Sequence, residues 1–339
     1  MLTDYLRQIN GGVFPADHVI LPDERIENNL FVPPPFHLSA ADLVAINSPA
    51  HHDRISQKLV EMAQRYGMFY ITNHGIRDRV MTNALWAAKM FFELPSYEFK
   101  RECERCLFYS SSVVHHLNLE TEAKYWRDTL PFYLSSMPLW PENPPRFRDD
   151  ISQFASALEV LANKLIRLIS RGLKLDESYF HDHGLSQVRR LNVNRYPRCP
   201  NPKLTCGLAK HCDPDLLTIT FVEAGDAAQG LEVCIDNEWK RVVPRDDALI
   251  VTIGSQMRVV SNKKLKAPVH RVVVNSRSDR TSICYAVAPS NDSYVEPAEV
   301  LTRTESPRYE KYKYGDYLLN HLGHYRDTTG VLPSYEKRN

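Results

Sequence analysis

Apolar positions along this chain follow helical spacing in three early stretches and then change to the shorter rhythm of strands. From Arg54 to Tyr66, Ile55, Leu59, Met62 and Tyr66 fall on one helical face, and Gly67 is placed to end the helix. Met68 to Thr72 reads as a short strand. A second helix spans about Asp78 to Glu93 and stops before Pro95. The clearest stripe is Phe154, Leu158, Leu161, Leu165 and Leu168, with Gly172 expected as its C-terminal cap. Beyond residue 189 short β segments alternate with turns. Leu231 to Ile235, Asp236-Asn237 and Trp239 to Val243 predict a hairpin. Ala248 to Ile253 is apolar throughout, as in a strand buried on both faces, and Arg271 to Val274 and Ser282 to Val287 add two more. The expected fold class is α+β: a double-stranded β-helix of the jelly-roll or cupin-like kind, with N-terminal helices packed on it. Three regions follow from the rhythm. Residues 1–188 form a mainly helical support, 189–300 the jelly-roll core, and 301–339 a C-terminal helical segment placed to act as a lid.

Composition narrows the functional classes. The chain has 339 residues, 43% hydrophobic and 24% charged, with a formal net charge of +1. That balance gives no reason to expect nucleic acid or an acidic membrane as partner. Met1-Leu2-Thr3-Asp4-Tyr5 leads into no apolar run, so no secretory signal is expected, and no stretch is long enough to span a bilayer. Seven cysteines, without the density of a stapled mini-domain, suit a reducing cytosol, so a cytoplasmic protein is expected, monomeric or weakly homo-oligomeric. Cys103-x-x-Cys106 has charged neighbours and no second pair at zinc spacing, and reads as a helix face.

The chemistry centres on His211-Cys212-Asp213 and a distant His270. On an extended strand residues two apart share a face, so His211 and Asp213 can grip one ion while Cys212 points away. Two imidazoles and a carboxylate are the facial ligand set of mononuclear non-haem iron(II), although zinc accepts the same donors. Arg280 and Ser282 tip the balance towards iron. They share one face of a strand beginning ten residues after His270, and a guanidinium fork with a neighbouring hydroxyl fits a carboxylate. A metal beside a carboxylate clamp suggests a keto acid that reaches both. Tyr196, in Asn194-Arg195-Tyr196-Pro197, offers another donor to the same carboxylate.

With these residues the sequence resembles the plant-type iron(II)/2-oxoglutarate-dependent dioxygenases, in the branch that oxidises specialised metabolites and hormones. The resemblance runs from about residue 54 to 325. It is carried by Asn73-His74-Gly75, Trp126-Arg127-Asp128, the run from Trp140 to Pro145, the run from Asn194 to Pro200, the run from Gly207 to Thr218, His270-Arg271-Val272 and Arg280-Thr281-Ser282. It implies iron(II) on His211, Asp213 and His270, and 2-oxoglutarate held by Arg280, Ser282, Tyr196 and Asn194. It also implies dioxygen as oxidant, ascorbate as a supporting reductant in vitro, and a small-molecule substrate. Asn192, Ala286, Ala288, Thr129 and Phe132 are the substrate-contact candidates. Retention of Asp213 argues against a halogenase. Relatives usually carry a large aromatic or aliphatic residue at the position of Ala286, so the methyl group here widens the pocket or admits another side chain. Asp246, Thr252, Ser255 and Lys263 also depart from the family pattern, near turns.

Several histidines have plainer readings. His74 belongs to a turn, and Arg271 to the scaffold. His115-His116 falls in a segment that lines the active-site mouth in relatives. Trp126, Trp140 and Trp239 read as core aromatics. The expected reaction couples decarboxylation of 2-oxoglutarate to substrate hydroxylation; desaturation, ring closure, epoxidation or demethylation need only another substrate pose. Two alternatives stand beside it: an oxidase of the same fold that does not use 2-oxoglutarate, and a binding protein that has lost turnover.

Overall fold

The computed structural model describes residues 2, 14–20, 35–37, 39–44, 49–106, 124–135, 138–225, 229–323 and 331–337; His115 and His116 lie outside them. Two sheets carry the architecture. Strands β1 (Pro35–Phe36), β2 (Ala40–Asp42), β3 (Met68–Thr72) and β4 (Asp128–Tyr133) come from the N-terminal region. β5 (Val188–Tyr196), β6 (Leu208–His211), β7 (Leu217–Val222), β8 (Leu231–Ile235), β9 (Glu238–Val242), β10 (Ala248–Ile253), β11 (His270–Val272) and β12 (Arg280–Ala288) follow. The smaller sheet has the order β1-β9-β8-β11-β6, and the larger β2-β3-β10-β7-β12-β5-β4. β2, β3 and β4 thus complete the larger sheet, so the first 188 residues supply strands as well as helices.

The two faces of the larger sheet have different partners, and period-two alternation decides which residue meets which. Phe69, Ile71, Leu191, Val193, Ile219, Ile283, Tyr285 and Val287 face the helices and share one core with them. Met68, Tyr70, Tyr196, Val222, Ala248 and Ile250 point the other way and pack with Leu231, Val233, Val242 and Val272 of the smaller sheet. Ala248–Ile253 is buried at every position because it lies centrally with both faces covered, as its unbroken apolar run predicts.

Helix α1 (His52–Arg65) and α2 (Asp78–Phe92) pack on the long α4 (Phe147–Gly172), with α3 (Ser96–Cys106) between α2 and β4 in sequence. The stripe Phe154, Leu158, Leu161, Leu165 and Leu168 is wholly buried. Gly67 ends α1 with φ 69°, as the sequence predicts. Gly172 behaves differently from expectation. The helix is capped by Leu173, and a Cβ on Gly172 would lie 2.5 Å from the Ser56 carbonyl oxygen. This glycine lets α4 approach α1 rather than turning the chain. The left-handed residue beyond the helix is Lys174, with φ 60°. Asp236 and Asn237, at φ 52° and 63°, make the β8–β9 hairpin turn, in keeping with their tolerance of that region. Lys263, one of the departures from the family pattern, stands at φ 71°, a backbone region in which glycine alone is unstrained. Further along lie α5 (Ser255–Val260) and α6 (Tyr314–Gly323), of which α6 matters below.

Candidate active site

The smaller sheet brings the three metal-ligand candidates together. His211 ends β6 and pairs directly with His270 at the start of β11, while Asp213 follows β6. One donor atom from each lies within 4.8 Å of the other two. Asp213 Oδ1 is 3.4 Å from His211 Nε2 and 3.5 Å from His270 Nε2. The remaining atoms of the three side chains are occupied in ways that fix this aim. His211 Nδ1 lies 2.8 Å from the Ala209 carbonyl and His270 Nδ1 3.2 Å from that of Pro268. Each carbonyl can only accept, so each Nδ1 carries the proton and each Nε2 lone pair faces the centre. Thr218 donates to Asp213 Oδ2 at 2.7 Å, which leaves Oδ1 for an ion. Cys212 points away, its Sγ 3.4 Å from the Ala267 carbonyl, and burial pushes its thiol up to about 12.

Electrostatics prepare the site for a cation. Burial pushes His270 down to about 4, so its imidazole is neutral near neutral pH, as a ligand must be. Burial alone would raise Asp213, but the Thr218 hydroxyl and positive charge at the imidazoles' position, which a bound cation would equally supply, hold it well below the usual carboxylate range. Two imidazoles with their Nε2 atoms turned to a common centre and one ionised carboxylate fit iron(II) with coordination positions to spare.

The larger sheet supplies the opposite wall. Arg280, Ser282, Cys284 and Ala286 of β12 pair with Tyr196, Asn194, Asn192 and Arg190 of β5, and directly paired residues share a face. On the other flank Ser282, Cys284 and Ala286 pair with Val222, Thr220 and Thr218 of β7. The guanidinium of Arg280 lies over the Tyr196 ring at 5.1 Å, and its Nη1 donates to Ser282 Oγ at 3.4 Å. Arg280, Ser282 and Tyr196 are all buried. Thr129 joins this face through its pairing with Asn194, whose Oδ1 accepts from the Thr129 hydroxyl at 2.9 Å. Among the described residues Asn194 Nδ2 makes only long contacts, 3.4 Å to the Asn192 carbonyl and 3.6 Å to Cys284 Sγ.

Two substrate candidates are placed differently from expectation. Phe132 pairs with Leu191, which puts it on the helix side, where it stacks on Trp140 at 4.5 Å. It is one residue out of phase with the site; Pro131 and Tyr133 hold the inward positions. Ala288 shares Ala286's parity but is packed in the helix-side core at the strand's end. The plainer readings agree with their surroundings. His74 accepts from the Ile76 backbone within its own turn. Arg271 pairs with Glu232 at 2.7 Å and covers the Trp239 ring at 4.0 Å. Trp126 is buried, with its indole donating to the Pro197 carbonyl.

Four residues at the site escaped the sequence reading. Arg190 was reachable by parity, two positions from Asn192 on β5, whereas Thr218 lies on β7, where no candidate had been named. Asp215 pairs with Arg190 at 2.7 Å from the turn after β6. His321 on α6 had no signal, because only folding brings that helix near His211 and Asp213, whose charges act on it.

The chain matches two family descriptions: "2OG-Fe(II) oxygenase superfamily" over residues 187–289 and "non-haem dioxygenase in morphine synthesis N-terminal" over 38–147. It is 31% identical to 2'-deoxymugineic-acid 2'-dioxygenase of Hordeum vulgare, covering 89% of this chain and 90% of that one. It is 30% identical to hyoscyamine 6-dioxygenase of Hyoscyamus niger, covering 86% and 89%. Among solved structures, JOX2 in complex with 2OG, Fe and JA superposes with a TM-score of 0.82 at 26% identity, covering 99% of this chain and 97% of that one. The rice dioxygenase for auxin oxidation shares the fold, with a TM-score of 0.75 at 21% identity, covering 89% and 100%. A facial His-Asp-His set facing a buried arginine clamp, on a chain matched along most of its length by such enzymes, identifies a member of the 2OG-Fe(II) oxygenase superfamily, a plant-type 2-oxoglutarate-dependent non-haem iron dioxygenase.

Proposed function

We propose that this dioxygenase hydroxylates a small specialised metabolite, and that its two sheets divide the work. His211 Nε2, Asp213 Oδ1 and His270 Nε2 hold iron(II) on the smaller sheet. Arg280 and Ser282 hold the distal carboxylate of 2-oxoglutarate on the larger one, with the Tyr196 hydroxyl and the loosely bonded Asn194 amide as further donors. Bound iron supplies the coupled chemistry: decarboxylation of 2-oxoglutarate to succinate and carbon dioxide, with oxygen transfer to a substrate C–H bond. The chain's own residues supply position. The Nδ1–carbonyl bonds and the Thr218 hydroxyl fix the ligand orientations, and the buried Arg280 fixes the length of cosubstrate that fits.

The substrate lies along Asn192, Ala286 and Thr129, on the inward face of the larger sheet. In this reading residues 189–300 carry the chemistry, 1–188 support it, and α6 within 301–339 covers one side. Relatives named for oxidising alkaloid, flavonoid and siderophore-type molecules support the substrate class. No helix among the described residues is long and apolar enough to cross a membrane. The observation that carries the proposal is the aim of Asp213 Oδ1 and the two Nε2 atoms into one space opposite Arg280. The test is to supply iron-loaded protein with 2-oxoglutarate and a plant extract, and to look for succinate together with a product one oxygen heavier or two hydrogens lighter. His211→Ala and Asp213→Ala should abolish both. Oxygen uptake without 2-oxoglutarate would overturn the proposal, and so would succinate formation that survives either substitution.

A further inference from the structure

Arg190 is a charged residue on the inward face of the larger sheet that the assignments above leave without a task. It stands directly across from Ala286, which in turn stands across from Thr218, the residue that orients Asp213. Arg190 is therefore two strands, roughly 10 Å of backbone, from a side chain touching a metal ligand. Six residues along β12 separate Ala286 from Arg280, or about 20 Å. The cosubstrate clamp and Arg190 thus occupy opposite ends of one strand pair.

The guanidinium is held on one side by an aspartate and has donors to spare. Of its five N–H donors, Nη2 gives one to Asp215 Oδ2 at 2.7 Å. Asp215 is almost wholly buried and also accepts from the Tyr314 hydroxyl of α6 at 3.4 Å. The Arg190 Nε–H is buried with no partner among the described residues, a condition native proteins seldom tolerate unless something else meets it. A quarter of the Arg190 side chain is accessible, 26% against 3% for Asp215. Ala286 makes this arrangement possible. Paired Cβ atoms on adjacent strands lie about 4.5–5.5 Å apart, and a large side chain at 286 would compete for the space beside the guanidinium.

We propose that Arg190 anchors the substrate, and that the substrate carries a carboxylate which this fixed guanidinium receives at the end of the cleft remote from Arg280. The proposal rests on the reading of this face as the substrate wall. Asp215 locks the arginine's rotamer in advance, as preorganised recognition requires, and a planar fork with free donors suits a carboxylate better than a neutral group. The competing role is structural: Arg190 and Asp215 would serve only to dock α6 through Tyr314.

The test uses iron-loaded, full-length protein with 2-oxoglutarate and a plant extract divided by anion exchange at neutral pH into retained acids and flow-through. Turnover is expected from the acids and should be lost when they are methyl-esterified. Because Arg190 neutralises a buried carboxylate, the main variant is the double substitution Arg190→Met/Asp215→Asn, with Ala286→Phe as a variant that leaves the ion pair's residues in place. Both should raise KM for the acid roughly tenfold or more, the equivalent of one charge-assisted contact, with KM for 2-oxoglutarate unchanged. Turnover confined to the flow-through, equal use of the esters, or an unchanged KM in the double variant would overturn the anchor. Absence of turnover in every fraction would instead count against the proposed function. The anchor is then judged by retention of the acid fraction on immobilised protein: selective retention by the wild type supports it, and equal retention by wild type and double variant, or none by either, overturns it.

Discussion

Thr218→Val removes one hydroxyl and keeps the volume and branching of a residue that strands favour. The lost contact is the 2.7 Å donation to Asp213 Oδ2. That hydrogen bond fixes which carboxylate oxygen faces His211 and His270. Hydrogen bonds to charged groups contribute about 1.5–3 kcal/mol. If that contribution is expressed in the metal-bound orientation, affinity falls by roughly tenfold to a hundredfold, since each 1.4 kcal/mol is about a factor of ten. The same range is found when outer partners of metal ligands are removed elsewhere. The measurement is competition for iron(II), or for cobalt(II) as a stable surrogate, against a chelator of known affinity under anaerobic conditions. Circular dichroism confirms that the variant is folded, and Thr218→Ser, which restores the donor, should recover most of the loss. A folded Thr218→Val protein binding metal within about twofold of the wild type would refute the claim that this hydroxyl orients Asp213.

Other outcomes follow from the same geometry. Arg280→Leu should raise KM for 2-oxoglutarate by about tenfold to a hundredfold, from the loss of charge-assisted hydrogen bonds, with Arg280→Lys recovering part of it; succinate kinetics read this directly. Gly67→Ala should destabilise the fold by about 1–3 kcal/mol in urea, because the residue sits at φ 69° and a Cβ would meet the Lys266 carbonyl oxygen at 2.3 Å. The metal-free protein should lose stability as pH falls from about 6.5 towards 4. Burial holds His18 and His74 below the ordinary value and pushes His321 to about 4, so below 6.5 the unfolded chain takes up protons that the folded chain refuses. His321→Asn should flatten that dependence, as seen in urea midpoints across the range, and an unchanged slope would count against burial of its neutral ring as the cause.

The helices and strands were legible because their apolar spacing matches the faces they bury. Met68–Thr72 and Ala248–Ile253 are the plainest cases, since both lie within the larger sheet with covered faces. The wider reading failed where a residue's neighbours lie far away in sequence. Gly172 looked like a cap because a glycine after an apolar stripe usually is one, but the carbonyl of Ser56 on another helix set its role. Phe132 looked like a substrate contact, yet its pairing with Leu191 turned it towards the helices. A strand's alternation is visible in sequence; which of its two faces meets the site is decided by register with a partner.

By itself the sequence determined the candidate donors: His211, Asp213 and His270 towards a metal, and Arg280 with Ser282 towards a carboxylate. Ligand chemistry depends on residue type and short spacing, and both are local. It also exposed the missing bulk at Ala286. Only the tertiary structure decided what fills that space, because the partner of Ala286 lies nearly a hundred residues away on an antiparallel strand. It set Arg190 there, and held it with an aspartate from the turn beside the metal ligands and a tyrosine from the C-terminal helix. Long-range pairing and close packing join such residues, and no local pattern encodes their meeting.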